Sequence, residues 1–122
     1  MATDIIVKMV KIPVTDVEMS AKFYTEVLGL EEEFVVGEYG WAQLNAGNLP
    51  VALYEVGKGG GSAKAGSTDH MHFGVSDFEA LKTRLTSHDI DPEQHFHEGA
   101  DGTKFYLFQD PDGNTIHVGL KG

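Results

Sequence analysis

An internal repeat restricts how this chain can fold more than any other feature of the sequence. Met9-Val10-Lys11-Ile12-Pro13-Val14-Thr15-Asp16 matches His70-Met71-His72-Phe73-Gly74-Val75-Ser76-Asp77 at an offset of 61, and Gly47-Asn48-Leu49-Pro50-Val51 matches Gly113-Asn114-Thr115-Ile116-His117 at an offset of 66. Two half-size copies within 122 residues are too small for separate cores, so they must share one. The copies differ in chemistry: the second has His70 and His117 where the first has Met9 and Val51.

Hydrophobic spacing gives the outline of each copy. Ile5 to Pro13 reads as a strand, and Val17, Ala21, Tyr24 and Leu28 then follow at helical spacing up to Gly29. Thr15 with Glu18, and Ser76 with Glu79, have the spacing of capping boxes, which start helices over roughly 16–28 and 77–88. Short strands at 33–36, 41–44 and 51–56 are divided by Gly37, Gly40, Gly47-Asn48 and Pro50. The second copy repeats this with strands at 70–75, 94–97, 103–109 and 115–120. The expectation is one α+β domain of two βαβββ modules, 1–57 and 69–122, joined by a Gly/Ser-rich spacer at 58–68 that is mobile in solution.

Composition narrows the partners. A formal charge of −10 repels phosphate backbones and anionic lipid, so neither nucleic acid nor a membrane surface is expected to bind. No apolar run is long enough to cross a bilayer, no leader pattern opens the sequence, and there is no cysteine, which together point to the cytoplasm. Nucleophilic catalysis and phosphate-loop chemistry find no motif.

Four phrases together carry a family resemblance: Val14-Thr15-Asp16-Val17-Glu18, Phe23-Tyr24-Thr25-Glu26-Val27-Leu28-Gly29-Leu30, the His70–Asp77 stretch, and Asp110-Pro111-Asp112-Gly113-Asn114. Across nearly its whole length the chain resembles the vicinal oxygen chelate superfamily, which includes glyoxalase I, bleomycin- and fosfomycin-resistance proteins, methylmalonyl-CoA epimerase and extradiol dioxygenases. The resemblance implies curled half-barrels, usually in a homodimer with clefts inside the cups. It also implies metal ligands on the first and fourth strands, which carry over to Met9, Val51, His70 and His117. Here the pattern is broken, because Val51 cannot ligate and Met9 offers only a soft sulfur suited to copper(I).

These residues leave two functions open. One is a metal-assisted lyase, isomerase or dioxygenase, with a divalent ion on His70 and His117 and with His72 or Glu55 moving the proton. The other is a metal-free protein of the bleomycin-resistance type that sequesters a small organic molecule. His72 shares a strand face with His70, about 6.5–7 Å along, and either shuttles a proton or lines the pocket. Lys11 is either turned inward toward an anionic ligand or solvated, and Glu55 is either a base at the rim or a surface carboxylate. Trp41, Tyr54, Phe105 and Tyr106 offer aromatic walls, with core or interface as the plainer role. His95 and His97 read as surface.

Overall fold

The structure is a computed structural model that describes residues 4–121. Its elements are β1 (Val10–Val14), α1 (Val17–Glu26), β2 (Glu31–Val36), β3 (Trp41–Asn45), β4 (Pro50–Glu55), β5 (Met71–Val75), α2 (Phe78–Ser87), α3 (Pro92–His95), β6 (Phe96–Glu98), β7 (Lys104–Gln109) and β8 (Thr115–Leu120). They form two four-stranded sheets, ordered β1-β4-β3-β2 and β5-β8-β7-β6. In each sheet the first and last strands of the module pair in parallel and the other neighbours are antiparallel. This is the expected pair of βαβββ modules in an α+β fold, and neither sheet closes into a barrel.

Local chemistry explains where the elements differ from expectation. The helices are capped by Asp16 and Asp77, one residue after the hydroxyls expected to do it. Each aspartate accepts from two backbone amides of the first turn, Glu18 and Met19 for Asp16, and Glu79 and Ala80 for Asp77. Thr15 is free for another task and donates from its hydroxyl to Asp112, 2.6 Å away in the second module. The strand expected from residue 94 is preceded by the helical turn α3, because Asp91 caps the Glu93 amide and Pro92 presets the first helical dihedral. Ile5 to Met9 lie outside β1, and Ile6 is 77% exposed.

One apolar cluster serves both modules. Ile12, Val14, Leu44, Val51 and Leu53 of the first sheet, Tyr106, Phe108, Ile116 and Val118 of the second, and Ala21, Tyr24, Leu81 and Leu85 of the helices all belong to it. Polar contacts reinforce the joint. The Tyr24 hydroxyl donates to Asp110 at 2.7 Å, and the Asn114 side-chain amide donates to the Pro13 carbonyl and to Asp110. Arg84 of α2 donates to the Val27 and Leu28 carbonyls, satisfying acceptors that the end of α1 leaves open.

Register also corrects the repeat. Val10 pairs with Val51 in the first sheet and Met71 with Ile116 in the second, so Val51 is the counterpart of Ile116 and Ala52 is the counterpart of His117. The cause is one extra residue, Leu49, between the Gly-Asn turn and β4. Aligning the two turns slips the strands by one, and a one-residue slip exchanges the faces of a sheet.

Candidate ligand-binding face

Alternation along β5 and β8 divides the second sheet into two surfaces. Ile116 and Val118 face the core, with Met71, Phe73 and Val75 packed against it. His72, Gly74, His117 and Gly119 therefore share the other side. His72 pairs with His117 across the parallel ladder and Gly74 with Gly119. The imidazoles of His72 and His117 lie face to face, with centroids 3.8 Å apart and planes 11° apart. Phe105 stacks on the far side of His117 at 4.4 Å and 18°, and His97 follows Phe105 at 5.6 Å and 17°. Four near-parallel rings thus cross the sheet in the strand order β6, β7, β8, β5, and the ladder ends at His72, which is exposed.

Beside the last rungs, Gly74 and Gly119 project no side chain, and Lys121 packs over Gly74, where an added Cβ would sit 2.8 Å from the Lys121 Cβ. His72 and Phe73 line two hollows. One, of about 630 Å³, lies between the modules and is walled by Val10, Leu30, Leu49 and Val51. The other, of about 510 Å³, reaches His117, Gly119 and Lys104. A glycine inside a strand marks close approach by another group, and this was the signal in the sequence for Gly74 and Gly119. The ladder itself was not legible, because it depends on which residues of separate strands fall opposite one another.

Electrostatically the face is quiet. His117 Nδ1 is buried without a hydrogen-bond partner. Burial holds the His117 pKa below the ordinary imidazole value, reinforced by repulsion from a protonated His72 and, further down, His70. The ring therefore stays neutral at physiological pH, where it stacks without charge repulsion.

The expected residues are distributed differently from the expected site. His117 is brought to His72 and not to His70, which lies outside β5 with φ 56° and pairs through Nδ1 with Asp69. A left-handed conformation at a non-glycine residue costs on the order of 1–3 kcal/mol. Val51 is in the core, 2% exposed, and Met9 is half-buried just before β1. Lys11 donates to the Gly60 carbonyl and lies 5.4 Å over the Tyr54 ring, so its charge is met without a bound anion. Glu55 accepts from the Val17 amide and pairs with Lys58 at 2.9 Å, tying its carboxylate to the start of α1 in the first sheet.

Tyr54 is buried, and Trp41 lies beside it. Two glycines of the expected spacer approach both rings: a Cβ on Gly60 would sit 2.7 Å from Tyr54 Cβ and 3.2 Å from Trp41 Cζ3, and one on Gly61 would sit 2.7 Å from the Tyr54 ring.

This donor set does not fit a divalent ion of the kind the family resemblance implies. The in-plane lone pairs of two parallel stacked imidazoles run side by side and do not converge on one point. No group of three His, Cys, Asp or Glu side chains among the described residues is placed to hold a metal.

The fold has relatives of known structure. The family model described as "Glyoxalase/Bleomycin resistance protein/Dioxygenase superfamily" matches residues 6–118. No curated protein matches the chain. Among solved structures, a lactoylglutathione lyase from Agrobacterium tumefaciens is 22% identical over 94% of this chain and 92% of its own, with a TM-score of 0.74. TnmS3, an antibiotic-binding protein from Streptomyces sp. CB03234, is 24% identical over 99% and 100%, with a TM-score of 0.69. A bleomycin-binding protein from Streptomyces verticillus is 16% identical over 99% and 100%, with a TM-score of 0.70. At these identities the likeness is one of fold.

Proposed function

The chain belongs to the glyoxalase/bleomycin resistance protein/dioxygenase superfamily, and from that premise we propose that it binds and sequesters a planar small organic molecule without a metal ion. The observation that carries this reading is the ring ladder and its open end. A flat ligand placed on the outer face of His72 continues a stack already built from His97, Phe105 and His117. The ligand would enter the hollow of about 630 Å³, within the range of small-molecule sites, beside Gly74 and the Lys121 that packs on it. Each stacked aromatic pair adds about 0.5–1.5 kcal/mol beyond burial of area.

The same reading assigns the protein to a homodimer in the cytoplasm. Exposed apolar side chains at Ile6, Val7, Phe34, Tyr39 and Leu120 support self-association, and the lack of cysteine supports a reducing compartment. None of the helices among the described residues is long and apolar enough to cross a membrane.

The test is titration with a panel of planar heteroaromatic compounds, followed by Trp41 fluorescence and calorimetry, with and without EDTA. Saturable binding of a panel member that EDTA leaves unchanged is the expected result. Stoichiometric metal in purified untagged protein, together with binding that EDTA abolishes, would overturn it in favour of metal-assisted lyase, isomerase or dioxygenase chemistry, in which His72 would remain the candidate proton carrier.

A further inference from the structure

A third hollow, of about 620 Å³, opens at the other end of the second sheet, and the proposed stacking site makes no use of it. Its polar lining is His70, His95, Gln109, Asp110 and Thr115, against an apolar wall of Ile90, Leu107 and Phe108. Hydrogen bonds fix the tautomers of both imidazoles. His95 Nδ1 lies 3.0 Å from the Leu107 carbonyl, and a carbonyl only accepts, so Nδ1 carries the proton. His70 Nδ1 contacts the Asp69 carboxylate, which also only accepts when ionised. In the neutral rings, therefore, each Nε2 is a lone pair, held in orientation by the bond on the opposite nitrogen.

Charge around the hollow has one sign. The Asp110 carboxylate is 5% exposed and is satisfied by neutral donors alone: the Tyr24 hydroxyl, the Asn114 amide group and the backbone amides of Asp112 and Asn114. None of these donors is a cation, Asp69 adds a second carboxylate beside His70, and the whole chain carries −10. His70 reaches the hollow from a left-handed backbone, φ 56°.

We propose that this hollow is a second binding site, for an organic cation that presents N–H donors on a flat head, such as an amidinium or guanidinium group attached to an apolar body. The two Nε2 atoms accept from the head, Asp110 and Asp69 supply attraction, and Ile90, Leu107 and Phe108 cover the body. A bare metal ion is the poorer occupant, because the hollow is far larger than an ion and no group of three ligating side chains among the described residues is placed to hold one.

The experiment uses the full chain at about pH 8, above the ordinary imidazole range, with histidine ¹⁵N resonances followed by NMR as benzamidine is added. Benzamidine is expected to shift the Nε2 resonances of His70 and His95 and to leave those of His72 and His117 in place. Benzoate, of the same shape but with acceptors only, is expected to move none of them. The variant His70→Gly removes one acceptor at a position whose φ suits glycine, so folding is preserved, and it should weaken benzamidine about tenfold. No shift at His70 and His95 with benzamidine at about 10 mM, an equal response to benzoate, or unchanged affinity in His70→Gly would each overturn the proposal. A planar-compound panel that fails at the ladder leaves these outcomes untouched, since they are read on different histidines.

Discussion

The Tyr24 hydroxyl of the first module donates to the buried Asp110 carboxylate of the second at 2.7 Å. This places a carboxyl group inside the joint between the two copies of the repeat. Burial, Asp110's charge and that hydrogen bond all raise the Tyr24 pKa far above the ordinary phenol value, so the hydroxyl keeps its proton at physiological pH.

Removing that hydroxyl should therefore be costly although nothing else is lost. Tyr24→Phe is expected to destabilise the protein by about 1–3 kcal/mol, because Asp110 loses a donor in a place water does not easily reach. Urea denaturation should show a lower midpoint with an unchanged slope.

Two glycines form a matched pair. Gly66 has φ +85° and a Cβ there would lie 2.2 Å from the Asp112 carbonyl oxygen, whereas Gly47 has φ +98° with nothing within 4 Å. Gly47→Ala should cost about 1–2 kcal/mol, the backbone penalty alone. Gly66→Ala should cost clearly more, since strain and collision add, and thermal melts of the two variants measure the difference.

Acid should weaken the ladder through His117. A base whose folded pKa is depressed gives stability that is present above its unfolded value, near 6.5, and is lost as pH falls from there through the folded value. His117→Phe keeps the stack and removes the titration, so its melting temperature should fall less than that of the wild type between about pH 7 and pH 5. His88, raised by its bonds to the Arg84 carbonyl and to Glu26, works in the opposite sense and loses its contribution as pH rises through its folded value.

The end rung of the ladder should respond to shape and not to basicity. His72→Ala removes the surface on which a flat ligand would stack and should weaken a bound heteroaromatic compound by about 1 kcal/mol, whereas His72→Phe should retain it. Calorimetric titration of both variants separates stacking from proton transfer, which the phenylalanine cannot perform.

The fold was legible because the repeat, the helical stripe from Val17 to Leu28 and the turn residues each speak locally. The site was harder, because it depends on register. Leu49, a single residue in a turn, decides whether Val51 or Ala52 is the counterpart of His117 in the first sheet, and no local pattern reveals that slip. Similarly, His70 lies two residues before His72 and on the expected strand, yet its left-handed φ takes it out of the row and toward Asp69. Glu55 and Lys11 were placed in the right strands, but their charges are met by Val17, Lys58 and Gly60, partners 38, 3 and 49 residues away in sequence.

The shared core has a consequence for how such a chain can change over generations. Tyr24, Arg84, Asp110 and Asn114 hold the halves together from within, so substitutions that alter the exterior of either sheet escape most penalties of misfolding. The second sheet carries imidazoles at His72 and His117 where the first has Lys11 and Ala52 at the equivalent register positions, under a glycine-rich cover. Cutting the chain within that cover would give two fragments, each carrying half of an interior that neither could complete alone.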